Sequence, residues 1–127
     1  MNMKKDNGEK SGKSRKTVEL EPENARYHDS LGVTLYAMER YEEAASEKRK
    51  AVELEPLDAA YHNSLGVTLH AMGRHEEAAC EKKKAVELEP LNAAYHISLG
   101  ITLYAVGRYE EAKKEAQKAA ELETSSY

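Results

Sequence analysis

Three histidines stand 34 residues apart, at His28, His62 and His96, and an imidazole can ligate a metal or move a proton. A metal needs its donors gathered round one point at about 2.1 Å, whereas equivalent points on successive packed helices lie roughly 10 Å apart. One histidine per repeat therefore reads as a packed structural residue. His70 and His75 are five apart and form no i,i+4 pair. Cys80 is the only cysteine, which excludes an intramolecular disulfide and a Cys-based zinc site, and among charged neighbours it reads as an inert surface thiol. Ser30, Ser64 and Ser98 each precede a Leu-Gly pair. A hydroxyl that recurs in every repeat points to close helix packing, because one active site needs its nucleophile once. The Glu-Glu pairs that begin at Glu42, Glu76 and Glu110 are solvated faces, well placed near the positive end of a helix. With no nucleophile, base and orienting group in one constellation, the sequence predicts no enzyme, no cofactor and no metal.

These residues sit on a repeat. Residues 25–58 match 59–92 at 26 of 34 positions without a gap, and 93–123 match 59–89 at 21 of 31. Within the middle copy, His62, Leu65, Leu69 and Met72 recur at spacings of three and four, the stripe of one helix. Ala78, Ala79, Ala85, Val86 and Leu88 make a narrower stripe on a second. Asn24, Asp58 and Asn92 stand where a side chain can cap the first helix. Gly73 and Gly107 fall between the two helices, where a left-handed residue ends the first; Glu39 holds that place in the first copy, at an expected cost of about 1 kcal/mol. Pro56 and Pro90 deny helical geometry to the residue before each and so end the second helix.

A 34-residue helical pair in which His62-x2-Leu65-Gly66-x2-Leu69 is followed by Ala78-x3-Lys82 and Pro90 resembles the tetratricopeptide repeat, with its Leu, Gly, Ala and Pro present and its large aromatics absent. The resemblance covers residues 25–123 and implies an all-α, right-handed α-solenoid of three helix-turn-helix repeats, 25–58, 59–92 and 93–123. It also implies that Lys48 and Lys82 stand where the family buries an aromatic. Two accommodations are open: the lysine stem snorkels with its charge at the rim beside Glu47 or Glu81, which is the favoured expectation, or the second helix rotates to bring its alanines closer.

The resemblance further implies a concave groove lined by a second stripe on the first helix of each repeat. That stripe comprises Arg26, Asp29, Val33 and Tyr36, then Asn63, Val67 and His70, then Ile97, Ile101 and Tyr104. Val33, Val67 and Ile101 would form its floor and Tyr36, His70 and Tyr104 its rim, suited to an apolar or amphipathic segment of a partner protein. The bland alternative is that the β-branched residues pad contacts between repeats. The implied function is a protein-interaction module without catalysis.

Charge and ends complete the reading. Nineteen basic against 23 acidic side chains, a net charge of −4, give no basic field and so predict no nucleic-acid partner. No apolar run approaches the roughly 20 residues of a membrane span, so no membrane partner and a cytoplasmic location are expected. Residues 1–13 read as a disordered basic tail and 124–127 as a disordered C-terminus. "SRKTVELEPEN", residues 14–24, repeats the end of a second helix and is expected to act as a helical N-terminal cap, with Val18 and Leu20 against the first repeat. At the other end Ala79 and Cys80 become Lys113 and Lys114, while Tyr109, Ala112, Ala116, Ala119 and Leu122 are expected to remain partly exposed on the terminal helix. Homo-oligomerisation by end-to-end stacking is the alternative function.

Overall fold

The computed structural model describes Arg15 and residues 21–125. Among these residues it contains six helices and no strand: α1 (Ala25–Ala37), α2 (Tyr41–Leu54), α3 (Ala59–Ala71), α4 (His75–Leu88), α5 (Ala93–Ala105) and α6 (Tyr109–Thr124). Each helix packs on the next in sequence, most closely within the hairpins α1/α2, α3/α4 and α5/α6, while α1 also meets α3 and α3 meets α5. The result is a helical solenoid of three hairpins. Of the proposed N-terminal cap only Arg15 and residues 21–24 are described, and the Arg15 guanidinium donates to Glu43 on α2 at 2.9 Å. Val18 and Leu20, like the tail at 1–13, lie outside the described residues. Helix α6 runs to Thr124 with Ser125 as its cap, one residue past the boundary read from the sequence.

Local chemistry explains the boundaries. The side chains of Asn24 and Asn92 accept from the backbone N–H of Tyr27 and Tyr95, and that of Asp58 from Ala60. Each supplies an acceptor to one of the N–H groups that a helix start leaves open. The turns inside the hairpins use left-handed residues: Gly73 at φ 78°, Gly107 at φ 82° and the non-glycine Glu39 at φ 61°. There the N–H of Arg40, Arg74 and Arg108 folds back onto the carbonyls of Leu35, Leu69 and Leu103, each at 2.9 Å, which closes the helix end in the Schellman manner.

The core is built from leucine on the first helix and alanine on the second. Leu31 and Leu35 pack with Ala44; Leu65 and Leu69 pack with Ala78 of their own repeat and Ala45 of the preceding one; Leu99 and Leu103 do the same with Ala112 and Ala79. Ala45 and Ala79 therefore carry the contact between repeats. Small side chains let the backbones approach where the chain has no Phe or Trp to fill a wider gap. Leu88, placed on the second-helix stripe, is 37% exposed and stands outside this core.

The three histidines are structural links. His28, His62 and His96 are buried, and their Nδ1 atoms lie 2.7, 2.7 and 2.6 Å from Glu47, Glu81 and Glu115 on the partner helix of the same hairpin. Their Nε2 atoms lie 2.7, 2.6 and 2.7 Å from the carbonyls of Pro22, Pro56 and Pro90 in the preceding turn. A carbonyl only accepts, so Nε2 donates to it; the hydrogen between Nδ1 and the carboxyl satisfies the second bond from either side. Each imidazole thus ties both helices of its hairpin to the turn before it.

Candidate functional site

The two inter-helix lysines shape the face on which the groove residues stand. Lys48 and Lys82 are 3% and 4% exposed, which corrects the expectation of snorkelling stems with charges at the rim. Glu47 and Glu81 are engaged by His28 and His62. The ammonium groups turn inward to the next repeat: Lys48 Nζ donates to the Ser64 carbonyl at 3.1 Å, and Lys82 Nζ donates to the Ser98 carbonyl at 3.0 Å and to Thr102 Oγ1 at 2.7 Å. Burial lowers both amines from the usual 10.5 to about 8, opposed at Lys48 by the charge of Asp29. Lys48 Nζ also sits 5.0 Å from the centre of the Tyr36 ring, a cation–π contact that partly replaces lost water.

The lysine stems explain two glycines. A Cβ built on Gly32 or Gly66 would come within 2.6 Å of the Cγ of Lys48 or Lys82, so only glycine lets the stem lie flat against the first helix. In the third repeat Ala116 holds the lysine position, and a Cβ on Gly100 would meet nothing nearer than the Ala112 carbonyl at 3.4 Å. A Cβ there would make only ordinary van der Waals contacts, so the third repeat does not need glycine for a lysine stem.

The stripe read as a groove falls on α1, α3 and α5 with graded exposure. Arg26 is exposed; Asp29, Tyr36, Asn63, Val67 and His70 are half-buried; Val33 is 50%, Ile97 43%, Ile101 57% and Tyr104 67% exposed. Each rim aromatic is braced edge-on by the first residue of the following helix: Tyr36 by Tyr41, His70 by His75 and Tyr104 by Tyr109, at centroid distances of 5.2, 4.5 and 5.0 Å. His70 is also tied inward, its Nδ1 lying 2.9 Å from Thr102 Oγ1. Burial, then the neighbouring charge of Lys82, lowers its pKa. With Nδ1 unprotonated, it accepts the hydrogen of a hydroxyl that itself accepts from Lys82, which joins α3, α4 and α5 through Thr102. Asp29 and Asn63 each keep one buried side-chain oxygen without a hydrogen-bond partner. Desolvation raises the pKa of Asp29, against a hydrogen bond from Ser64 and the charge of Lys48.

Three of the ten stripe residues come together in a cleft. Ile97, Ile101 and Tyr104 line it with Gly100 and with Tyr109, Ala112, Lys113, Ala116, Ala119, Ala120 and Glu123 of α6, round a volume of about 870 Å³. The other seven stripe residues lie outside it. From the sequence, Tyr109, Ala112, Ala116 and Ala119 are expected to be partly exposed on the terminal helix and Ile97, Ile101 and Tyr104 to lie in a groove; the structure brings both sets to one cavity, with Tyr109 and Ala116 exposed but Ala112 and Ala119 buried. The signal that could have joined them is the loss of lysine at Ala116 after Lys48 and Lys82.

Comparison with known proteins bears on the fold and the family. Tetratricopeptide-repeat profiles match residues 30–82 and 93–125. Among solved structures the chain is similar to a MamA crystal structure at TM-score 0.86 and 24% identity, over 91% of this chain and 68% of that one. A MamA RS-1 double mutant gives 0.89 and 25%, over 95% and 68%, and a MamA AMB-1 structure 0.80 and 28%, over 90% and 62%. This chain spans about two thirds of the length of those structures. No curated protein matches it significantly in sequence. The profiles together cover about two thirds of the chain, the first running from within α1 into α4 and the second over the α5/α6 hairpin; the chain belongs to the tetratricopeptide repeat family.

Proposed function

We propose that this interaction scaffold holds a peptide or helical segment of a partner protein against the stripe on α1, α3 and α5, with Val67, Ile101, Tyr36 and Tyr104 as anchors. The observation that carries the reading is the exposure of Val33, Ile97, Ile101 and Tyr104 on one side of the first helices, with 43–67% of each left to solvent. Large apolar side chains held on a rigid helical frame bury area on contact without first being ordered, which is how binding anchors act. The module is non-enzymatic. In the test, Val67→Glu together with Ile101→Glu preserves the helical circular dichroism and abolishes capture of a partner from the native host; unchanged capture moves the site elsewhere.

The open apolar end lined by Tyr109 and Ala116 favours end-to-end stacking of identical chains as a second reading. Sedimentation velocity over a range of concentrations separates the two, since a strict monomer at high concentration removes the stacking model.

A further inference from the structure

The last hairpin departs from the first two at several positions that face one seat. In repeat 1 the seat between α1 and α2 is filled by α3, and in repeat 2 the seat between α3 and α4 is filled by α5; Ala45 and Ala79 meet the leucines of the incoming helix. Repeat 3 presents the same seat as the cleft of about 870 Å³.

A seat adapted to water would turn polar on its floor. This one turns apolar. Asp29 and Asn63 are succeeded by Ile97, Val33 and Val67 by Ile101, and Lys48 and Lys82 by Ala116. The last change also removes the stem that fills the space under Gly32 and Gly66, so the floor is emptied as well as stripped of charge. Two changes run the other way: Val52 and Val86 are succeeded by the smaller Ala120, and Ala45 and Ala79 by Lys113, at the position that meets the leucines of a seated helix. Lys113 is exposed and makes no ion pair among the described residues. Glu123 repeats Glu55 and Glu89 and adds nothing specific to this end.

We propose that the end seat accepts an amphipathic helix of a partner protein whose apolar stripe follows the spacing of α5 and which carries an acidic side chain opposite Lys113. The inference rests on the interaction-module reading and names the chemistry of its partner. An apolar stripe fits the emptied floor, and a carboxylate pairs the one new charge. A second copy of this chain, seated in the internal register, would bring Leu31 and Leu35 of α1 to that ammonium and leave it desolvated without a partner, at a cost its own Ala45 and Ala79 contacts do not carry. Lys113 therefore selects against self-stacking while the floor stays receptive.

The test is a display library of 13-residue helices built on the α5 sequence, Ala93–Ala105, with the seat-facing positions randomised and selected on the full chain. The expected winners keep an apolar stripe and place Asp or Glu at one fixed position, and selection on Lys113→Glu replaces that acid with Lys or Arg. Ala116→Lys restores the side chain that the earlier repeats hold here, so it folds, and it weakens the selected helices by about tenfold or more. The proposal is overturned if nothing is selected, if no acid is enriched, if Ala116→Lys leaves binding unchanged, or if the chain self-associates and Ala116→Lys prevents it. Val33→Glu with Val67→Glu changes the stripe away from the seat; loss of partner capture in that variant but not in Ala116→Lys leaves the broader module standing and removes the seat.

Discussion

Lys82→Met should stabilise the protein at neutral pH, and the gain should vanish in alkali. Lys82 is buried, and its amine is lowered from 10.5 to about 8 by desolvation. Taken whole, that displacement corresponds to about 3 kcal/mol against the ammonium. Replacement also removes two hydrogen bonds, each worth about 1 kcal/mol net. The loss is softened because the Thr102 hydroxyl still donates to His70 Nδ1. Methionine keeps the stem that lies against Gly66, so the net expectation at pH 7 is a gain of about 1–2 kcal/mol. The sign of the pH dependence follows from the direction of the shift. Because the folded pKa is depressed, folding expels a proton between pH 8 and 10.5, so wild-type stability from this group rises with pH across that window and its penalty is full and constant below it. The difference between Lys82→Met and wild type should accordingly shrink as pH rises past 8. Urea denaturation followed by circular dichroism at pH 7 and pH 10 measures it. A loss of more than about 1 kcal/mol at pH 7, or a difference that does not change with pH, would refute the reasoning.

Other expectations follow from the same geometry. Glu39→Gly relieves the one positive-φ non-glycine residue among those described and should raise stability by about 0.5–1 kcal/mol, read as a higher melting temperature, whereas Gly73→Glu should lower it by a similar amount. Glu81→Leu leaves His62 Nδ1 buried without a partner and should cost about 1–3 kcal/mol in urea denaturation; Glu81→Gln, whose amide can donate to the neutral ring, should cost clearly less. Leu69→Ala, at a side chain 1% exposed between two repeats, should cost about 2–5 kcal/mol and lower helicity at 37 °C.

Much of the fold was legible because it is written in short-range rules. Asn24, Asp58 and Asn92 cap the helices they precede, and the residues at 39, 73 and 107 take the left-handed geometry the turn demands, since both outcomes depend on bonds a few residues away. The lysines were misread because their fate depends on three helices at once. From sequence alone Glu47 and Glu81 are the nearest opposite charges, but His28 and His62 occupy them, and the acceptors that draw Lys48 and Lys82 inward belong to the following repeat. The same dependence hid the cleft. Ala116 looks unremarkable on a polar helix until the preceding repeats show what its position normally fills, and only then do Ile97, Ile101 and Tyr104 become one wall of a cavity.

On the function proposed above, the apolar face of the first helices, ending in the open seat of the third repeat, is the surface a partner covers. A photo-crosslinking amino acid placed at Ile101, 57% exposed on that face, tests this in the native host, with Leu57, 82% exposed on the turn before α3, as the control position. The account predicts that position 101, and not position 57, crosslinks to one segment of another protein, and that mass spectrometry maps that segment to an amphipathic helix bearing an acidic residue. Equal labelling from both positions, or crosslinks from position 101 only to further copies of this chain, would contradict it.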